Sequence, residues 1–135
     1  PFRWPRDRIS ELEQELMDFA QKYRPIPIDL NGFGSFGKTV LYIHAQQTSA
    51  LISVQSSLAN YLSQTFTIVD PKAKQWPFSP HMTLASRKLT PRIFDQAWAH
   101  LQQHSAEFQF VSDRLTLLIH DEYEWHILRD FCFAQ

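Results

Sequence analysis

The sequence predicts an α+β fold in which helices and mostly antiparallel strands form a sandwich. Three observations carry that expectation. Three stretches place apolar residues at three- and four-residue steps, as an amphipathic helix does. The segments between and after them are short and rich in β-branched and aromatic residues, often alternating, as strands are. The chain has 135 residues, 44% of them hydrophobic, with eleven Phe and four Trp, which is enough to fill the core of one domain.

The elements follow in order. Ile9, Leu12, Leu16, Phe19, Ala20 and Tyr23 share one helical face, so residues about 7–23 read as the first helix. Asp7 or Ser10 is placed to cap its start, and Pro25 ends it. Ile26, Ile28 and Leu30 alternate as a strand, and Gly32 to Gly37 reads as a turn or bulged connection. Val40-Leu41-Tyr42-Ile43 is a second strand. Leu51, Val54, Leu58, Tyr61 and Leu62 mark a second helix over about 48–64, with a short strand expected at Thr65–Val69. The polar loop from Asp70 to Gln75 leads to a Pro-flanked strand at 80–86. Phe94, Ala97, Trp98 and Leu101 define a third helix over about 91–104. Strands near 107–112, 114–120 and 124–133 close the chain, with Asp121-Glu122-Tyr123 as the turn between the last two. A helix followed by strands occurs at 7–43 and again at 91–133, which suggests two related lobes. No linker or low-complexity segment interrupts the chain.

Composition narrows the function. The formal net charge is −1, so no global basic field advertises nucleic acid, and any such site must be a local cleft. No segment approaches the roughly 20 apolar residues that span a bilayer. Cys132 is the single cysteine, which excludes an internal disulfide and a cysteine zinc cluster and points to a reducing, cytoplasmic setting.

Gly32 to Thr39 satisfies both G-x-G-x-x-G and G-x-x-x-x-G-K-T. A phosphate loop must open a helix, whose N-terminus supplies the amides and the positive dipole end. Here Val40-Leu41-Tyr42-Ile43 follows, without a cap, and Phe33 and Phe36 crowd the loop. A glycine-rich bend between antiparallel strands explains the same letters. A P-loop nucleotide binder is excluded if residues 40–43 are strand.

The chemistry concentrates in Pro80-His81-Met82-Thr83-Leu84. Residues two apart on a strand share a face, so His81, Thr83, Ala85 and Arg87 point one way. Met82 and Leu84 point the other way, toward a helix layer. The Cα atoms of His81 and Thr83 lie roughly 6.5–7 Å apart along a strand, so both tips can reach one phosphate. An imidazole titrates near neutrality and can give or take a proton. A threonine hydroxyl donates to a non-bridging oxygen as charge builds there. Arg87 would add a cation at the rim. Tyr42 and Phe78 are candidates for stacking on a base, against the plainer expectation that they pack in the core.

Of the six histidines, only His81 has Ser or Thr two positions later. His100 and His104 stand at i and i+4, but Leu101-Gln102-Gln103 between them lacks a metalloprotease glutamate, so no metal is expected. His44 shares a face with Tyr42, and His120 with Leu118 and Thr116; either could border a cleft, although plain solvent exposure explains both. His126 opens the last strand with no evident partner.

Pro80-His81-Met82-Thr83-Leu84-Ala85 resembles the second signature of the two-histidine (2H) phosphoesterase superfamily, in its 2′-5′ RNA ligase and cyclic phosphodiesterase branch. Leu30-Asn31-Gly32-Phe33-Gly34-Ser35-Phe36 is similar to that family's glycine-phenylalanine bend, and residues 110–118 and 125–131 to its closing strands. The resemblance implies a two-lobed α+β fold, with antiparallel sheets around a central cleft and helices on the outer faces. It implies one His-x-Ser/Thr strand from each lobe, one histidine acting as base and the other as acid. It implies no metal or other cofactor. The implied partner is RNA or a nucleotide carrying a 2′,3′-cyclic phosphate or a 2′-5′ linkage.

This sequence departs from the family pattern in lacking the first His-x-Thr. In the family a proline-phenylalanine pair like Pro1-Phe2 follows that motif. The expectation is therefore a single domain, 1–135, missing its N-terminal strand, a helix and the first catalytic strand, and inactive alone. The alternative reading is a catalytically silent RNA- or nucleotide-binding module on the same fold.

Overall fold

The computed structural model describes residues 2–72, 75–86 and 89–135. The chain divides into two compact units, each described by itself.

One unit contains a four-stranded sheet. Its strands are β1 (Ile26–Phe36), β2 (Val40–Ala45), β3 (His81–Ala85) and the first part of β4 (Glu107–Ser112), in the order β3-β2-β1-β4. Ile28, Leu30, Leu41 and Ile43 are buried. Leu30 stands opposite Ala45 and Phe33 opposite Ile43, so this apolar set lies on one face of the sheet. Tyr42 and His44 therefore lie on the other.

The strand read as ending at Leu30 runs on to Phe36. Between Leu30 and Phe33 the register shifts, and Gly32 sits there at φ +74°, a conformation that favours glycine. Its N–H leaves the β1–β2 ladder and donates to Ala106 O at 2.9 Å. The bulge breaks the alternation that marks a strand in sequence.

Gly37, at φ +55°, makes the turn into β2, and Thr39 closes it by donating from N and Oγ1 to Phe36 O. Lys38 pairs with Asp95 at 2.7 Å. Asp95 lies on the helix of residues Pro91–Leu101, shorter at its end than expected. Pro91 opens that helix, and the Thr90 hydroxyl caps it by accepting from Ile93 N at 3.3 Å. Phe94 is its buried residue and stacks on Trp98.

β3 is an edge strand, pairing antiparallel with β2. Met82 stands opposite Ile43 and so points away from His81 as expected, but the register shifts between Thr83 and Ala85 and brings Ala85 opposite Leu41, off the face it was expected to share with His81. Met82 and Leu84 remain 45% and 46% exposed, so the expected packing onto a helix layer is not formed.

The other unit begins with a 3₁₀ turn, Arg6–Arg8, leading into α1 (Ile9–Ala20). Leu12, Leu16, Phe19 and Ala20 bury one face of α1. Arg8, not Asp7 or Ser10, occupies the N-cap, with no side-chain cap, and instead pairs with Glu11 at 2.7 Å. The second helix, α2 (Ser49–Phe66), faces this unit's interior through Val54. The Tyr61 hydroxyl on α2 donates to Glu15 on α1.

No strand forms at Thr65–Val69. The helix absorbs Thr65 and Phe66 and then stops at Thr67, whose φ of +58° is left-handed. Thr67 N and Ile68 N donate back to Ser63 O and Leu62 O, satisfying carbonyls at the helix end.

The closing hairpin joins β5 (Arg114–His120) to β6 (Trp125–Cys132) in antiparallel register from Arg114 opposite Cys132 to His120 opposite Trp125. Its turn is the expected one: Asp121 Oδ1 accepts from Tyr123 N and Glu124 N. Arg129 on β6 reaches Glu13 on α1 at 2.7 Å, and Gln21 donates to Cys132 O. The first helix thus groups with the last two strands, and the helix at Pro91–Leu101 with the first three. The units interleave along the chain, and each stretch read as a lobe divides between them, 7–43 after Ile26 and 91–133 after Phe110. Among the described residues no helix is long and apolar enough to cross a membrane.

Candidate active site

The register of β2 and β3 builds the site. Tyr42 stands opposite Thr83, and His44 opposite His81. Directly opposed residues share a sheet face, so all four side chains rise on the polar side. Gly34 is the partner of Tyr42 on β1, and Phe36 lies two residues further along the same face.

His81 and Thr83 are exposed. His81 Nδ1 lies 2.7 Å from Ser79 O. A carbonyl only accepts, so Nδ1 carries the proton and donates it there. That bond fixes the tautomer and leaves Nε2 as the nitrogen for proton transfer. Phe36 and Tyr42 hold the ring, with centroids 5.0 Å from it in both cases. Thr83 Oγ1 makes no hydrogen bond within the described residues, so its hydroxyl is available to a ligand.

Tyr42 is 5% exposed. Its ring meets Phe36 at 4.5 Å, His44 at 4.9 Å and His81 at 5.0 Å. It therefore sits as a support among the other rings, the plainer of its two expectations. The space for it comes from Gly34: a Cβ there would stand 2.5 Å from Tyr42 Cε2 and 2.7 Å from His44 Nε2. Phe78 is 38% exposed, and its carbonyl accepts from Gln47 Nε2. Arg87 lies outside the described residues.

A cavity of about 620 Å³ opens in the same unit, lined by Asp29, Asn31, Gln46, Glu107, Phe108 and Gln109, with Leu30. Amides and carboxylates suit hydrogen-bond donors on a ligand better than they suit phosphate.

The other candidates resolve differently. The glycine-rich segment does not open a helix: Gly32 lies in the β1 bulge, strand β2 follows, and Lys38 and Thr39 are engaged with Asp95 and Phe36 O. The rings of His100 and His104 are 4.6 Å apart, and among the described residues no group of three His, Cys, Asp or Glu could hold a metal ion. His126 has the partner that sequence did not reveal, Asp121 Oδ2 at 2.6 Å. His120 meets the edge of Trp125. Sequence placed His44 with Tyr42 but did not bring it to His81; alternation shows faces within a strand, and only the strand pairing shows what stands across.

The comparisons with known proteins bear on the fold and the family. A protein of Bacillus licheniformis, described by its name as a candidate phosphoesterase, is 25% identical over 134 residues, covering 97% of this chain and 75% of that protein. The crystal structure of TT0787 from Thermus thermophilus superposes with a TM-score of 0.67 at 18% identity, over 97% of this chain and 73% of that one, and so shares the fold. The model of the 2′-5′ RNA ligase superfamily matches residues 1–124. That match spans nearly all of the chain and takes in the His81–Ala85 strand, and on it the chain belongs to the 2′-5′ RNA ligase superfamily.

Proposed function

We propose that this chain carries half of the catalytic centre of an RNA phosphoesterase that opens 2′,3′-cyclic phosphates or cleaves 2′-5′ linkages. His81 Nε2 transfers the proton, and the Thr83 hydroxyl donates to a non-bridging oxygen. The observation that carries the reading is the His81 Nδ1–Ser79 O hydrogen bond, because it orients Nε2 on the exposed face that Thr83 shares. Family membership and the name of the Bacillus licheniformis relative support the same reaction class.

In hydrolysis of the cyclic ester, a water oxygen bonds to phosphorus while one P–O(ribose) bond breaks. A base takes the water proton, and an acid returns a proton to the ribose oxygen. In-line displacement puts that base and acid on opposite sides of phosphorus, so His81 fills one role. The family resemblance assigns the other to a second His-x-Ser/Thr, which these 135 residues do not contain. The charge that builds on the equatorial oxygens is met by Thr83.

The test is hydrolysis of 2′,3′-cyclic nucleotides by the complete gene product. His81→Ala should abolish turnover while leaving the circular dichroism spectrum unchanged. Turnover at the wild-type rate would remove His81 from the mechanism.

A further inference from the structure

We propose that His44 is a second phosphate ligand of the site, holding a non-bridging oxygen of the group on which His81 acts. The inference rests on the function proposed above for His81 and assigns a further residue to that site.

The strand pairing places it. Ala45 N donates to Pro80 O at 3.1 Å, one position beyond the His44–His81 pair. The pair itself is therefore of the non-hydrogen-bonded type, in which Cα atoms stand about 4.5 Å apart and side chains are closest. Both residues are exposed, on the face that Thr83 shares. Tyr42 touches both rings, at 4.9 Å and 5.0 Å, and so fixes their relative placement. Gly34 keeps clear the space that the His44 ring occupies, since a Cβ there would come within 2.7 Å of Nε2.

The chemistry fits an anion. His126 already has Asp121 and Glu124 against it. His44 has no carboxylate within ion-pair distance among the described residues. Its ring meets Tyr42 on its own strand, and His81 is its register partner on β3. An imidazolium there gains most from a bound oxyanion.

The same geometry excludes His44 as the missing acid or base. Two imidazoles rising side by side from one sheet face approach phosphorus from the same side, and in-line displacement takes its two proton-transfer groups from opposite sides. His44 is left with the equatorial oxygens, alongside Thr83.

The experiment uses the complete protein and its His44→Gln, His44→Arg and His81→Gln variants. Binding of a nucleoside 2′-monophosphate is measured beside binding of the unphosphorylated nucleoside, and turnover of a 2′,3′-cyclic nucleotide is followed in parallel. Loss of one charge-assisted hydrogen bond predicts that His44→Gln weakens monophosphate binding roughly 10–100-fold and leaves nucleoside binding unchanged. His44→Arg should restore most of the loss, because it keeps a cation. In the unmutated protein the His44 ring-proton resonance should shift on titration with the monophosphate.

Wild-type binding by His44→Gln overturns the inference. So does a His44→Arg variant as weak as His44→Gln, which would reduce His44 to packing against Tyr42. Both outcomes leave the proposed function standing if His81→Gln is inactive. Turnover surviving in His81→Gln withdraws the proposed function, and the phosphate-binding comparison still decides His44.

Discussion

Gly34 and Tyr42 are register partners on β1 and β2, and the Tyr42 ring fills the space that a side chain at position 34 would take. Gly34→Ala would put a methyl 2.5 Å from Cε2 and 2.7 Å from His44 Nε2, so both rings must move. Overpacking of this kind costs roughly 1–3 kcal/mol, and chemical denaturation should show it as a lower midpoint. The double variant Gly34→Ala/Tyr42→Ala should lose less than the sum of its parts, because removing the ring removes the clash. Strict additivity would show that the glycine is not there for Tyr42.

Thr83 stands opposite Tyr42 with an exposed hydroxyl beside His81. If that hydroxyl meets charge that develops in the transition state, Thr83→Ala should lower kcat roughly 10²–10³-fold, by analogy with removing one oxyanion donor. Thr83→Ser keeps the donor and should retain most of the rate. Equal loss in both variants would point to the methyl group, and hence to strand packing.

His81–Ala85 was legible in the sequence because prolines flank a short strand and the alternation assigns His81 and Thr83 to one face. The Asp121 turn was legible from its turn residues. β1 beyond Leu30 was not, because the bulge at Gly32 shifts the alternation and a glycine-rich run reads as a turn. Residues 65–69 favour strand by composition, but α2 continues through Phe66 and ends on left-handed Thr67. The neighbourhood of His81 was half visible: Tyr42 and His44 share a face by spacing, but their apposition to β3 depends on a register set by non-local pairing.

Asp121 gives the closing hairpin a dependence on pH. The backbone N–H groups of Glu124 and Tyr123, with His126 beside them, stabilise its carboxylate and pull its pKa down to about 2. A depressed folded-state pKa gives stability that is present above the unfolded value of about 3.9. That stability is lost as pH falls from about 4 toward 2. Acid titration should therefore destabilise the wild type more steeply over that range than Asp121→Asn. An NMR midpoint for the Asp121 carboxyl near its ordinary value would contradict the turn geometry.

Tyr61 links α2 to α1 by donating to Glu15, and the neighbouring carboxylate raises the phenol pKa to about 12. The neutral phenol is the favoured form in the folded protein. The contribution is therefore complete below the unfolded value of about 10 and is lost as pH rises through about 12. Tyrosinate absorbance at 295 nm should show a late step from Tyr61, and Tyr61→Phe should remove it. The same variant should cost about 1 kcal/mol near neutral pH, the net value of one hydrogen bond, because Glu15 loses its donor. Glu15→Gln separates the two causes: it keeps an acceptor and removes the charge, so it should bring the Tyr61 titration back toward 10 while costing less stability than Tyr61→Phe. A late step that survives in Glu15→Gln would assign the raised pKa to burial of the ring between α1 and α2 and not to the carboxylate.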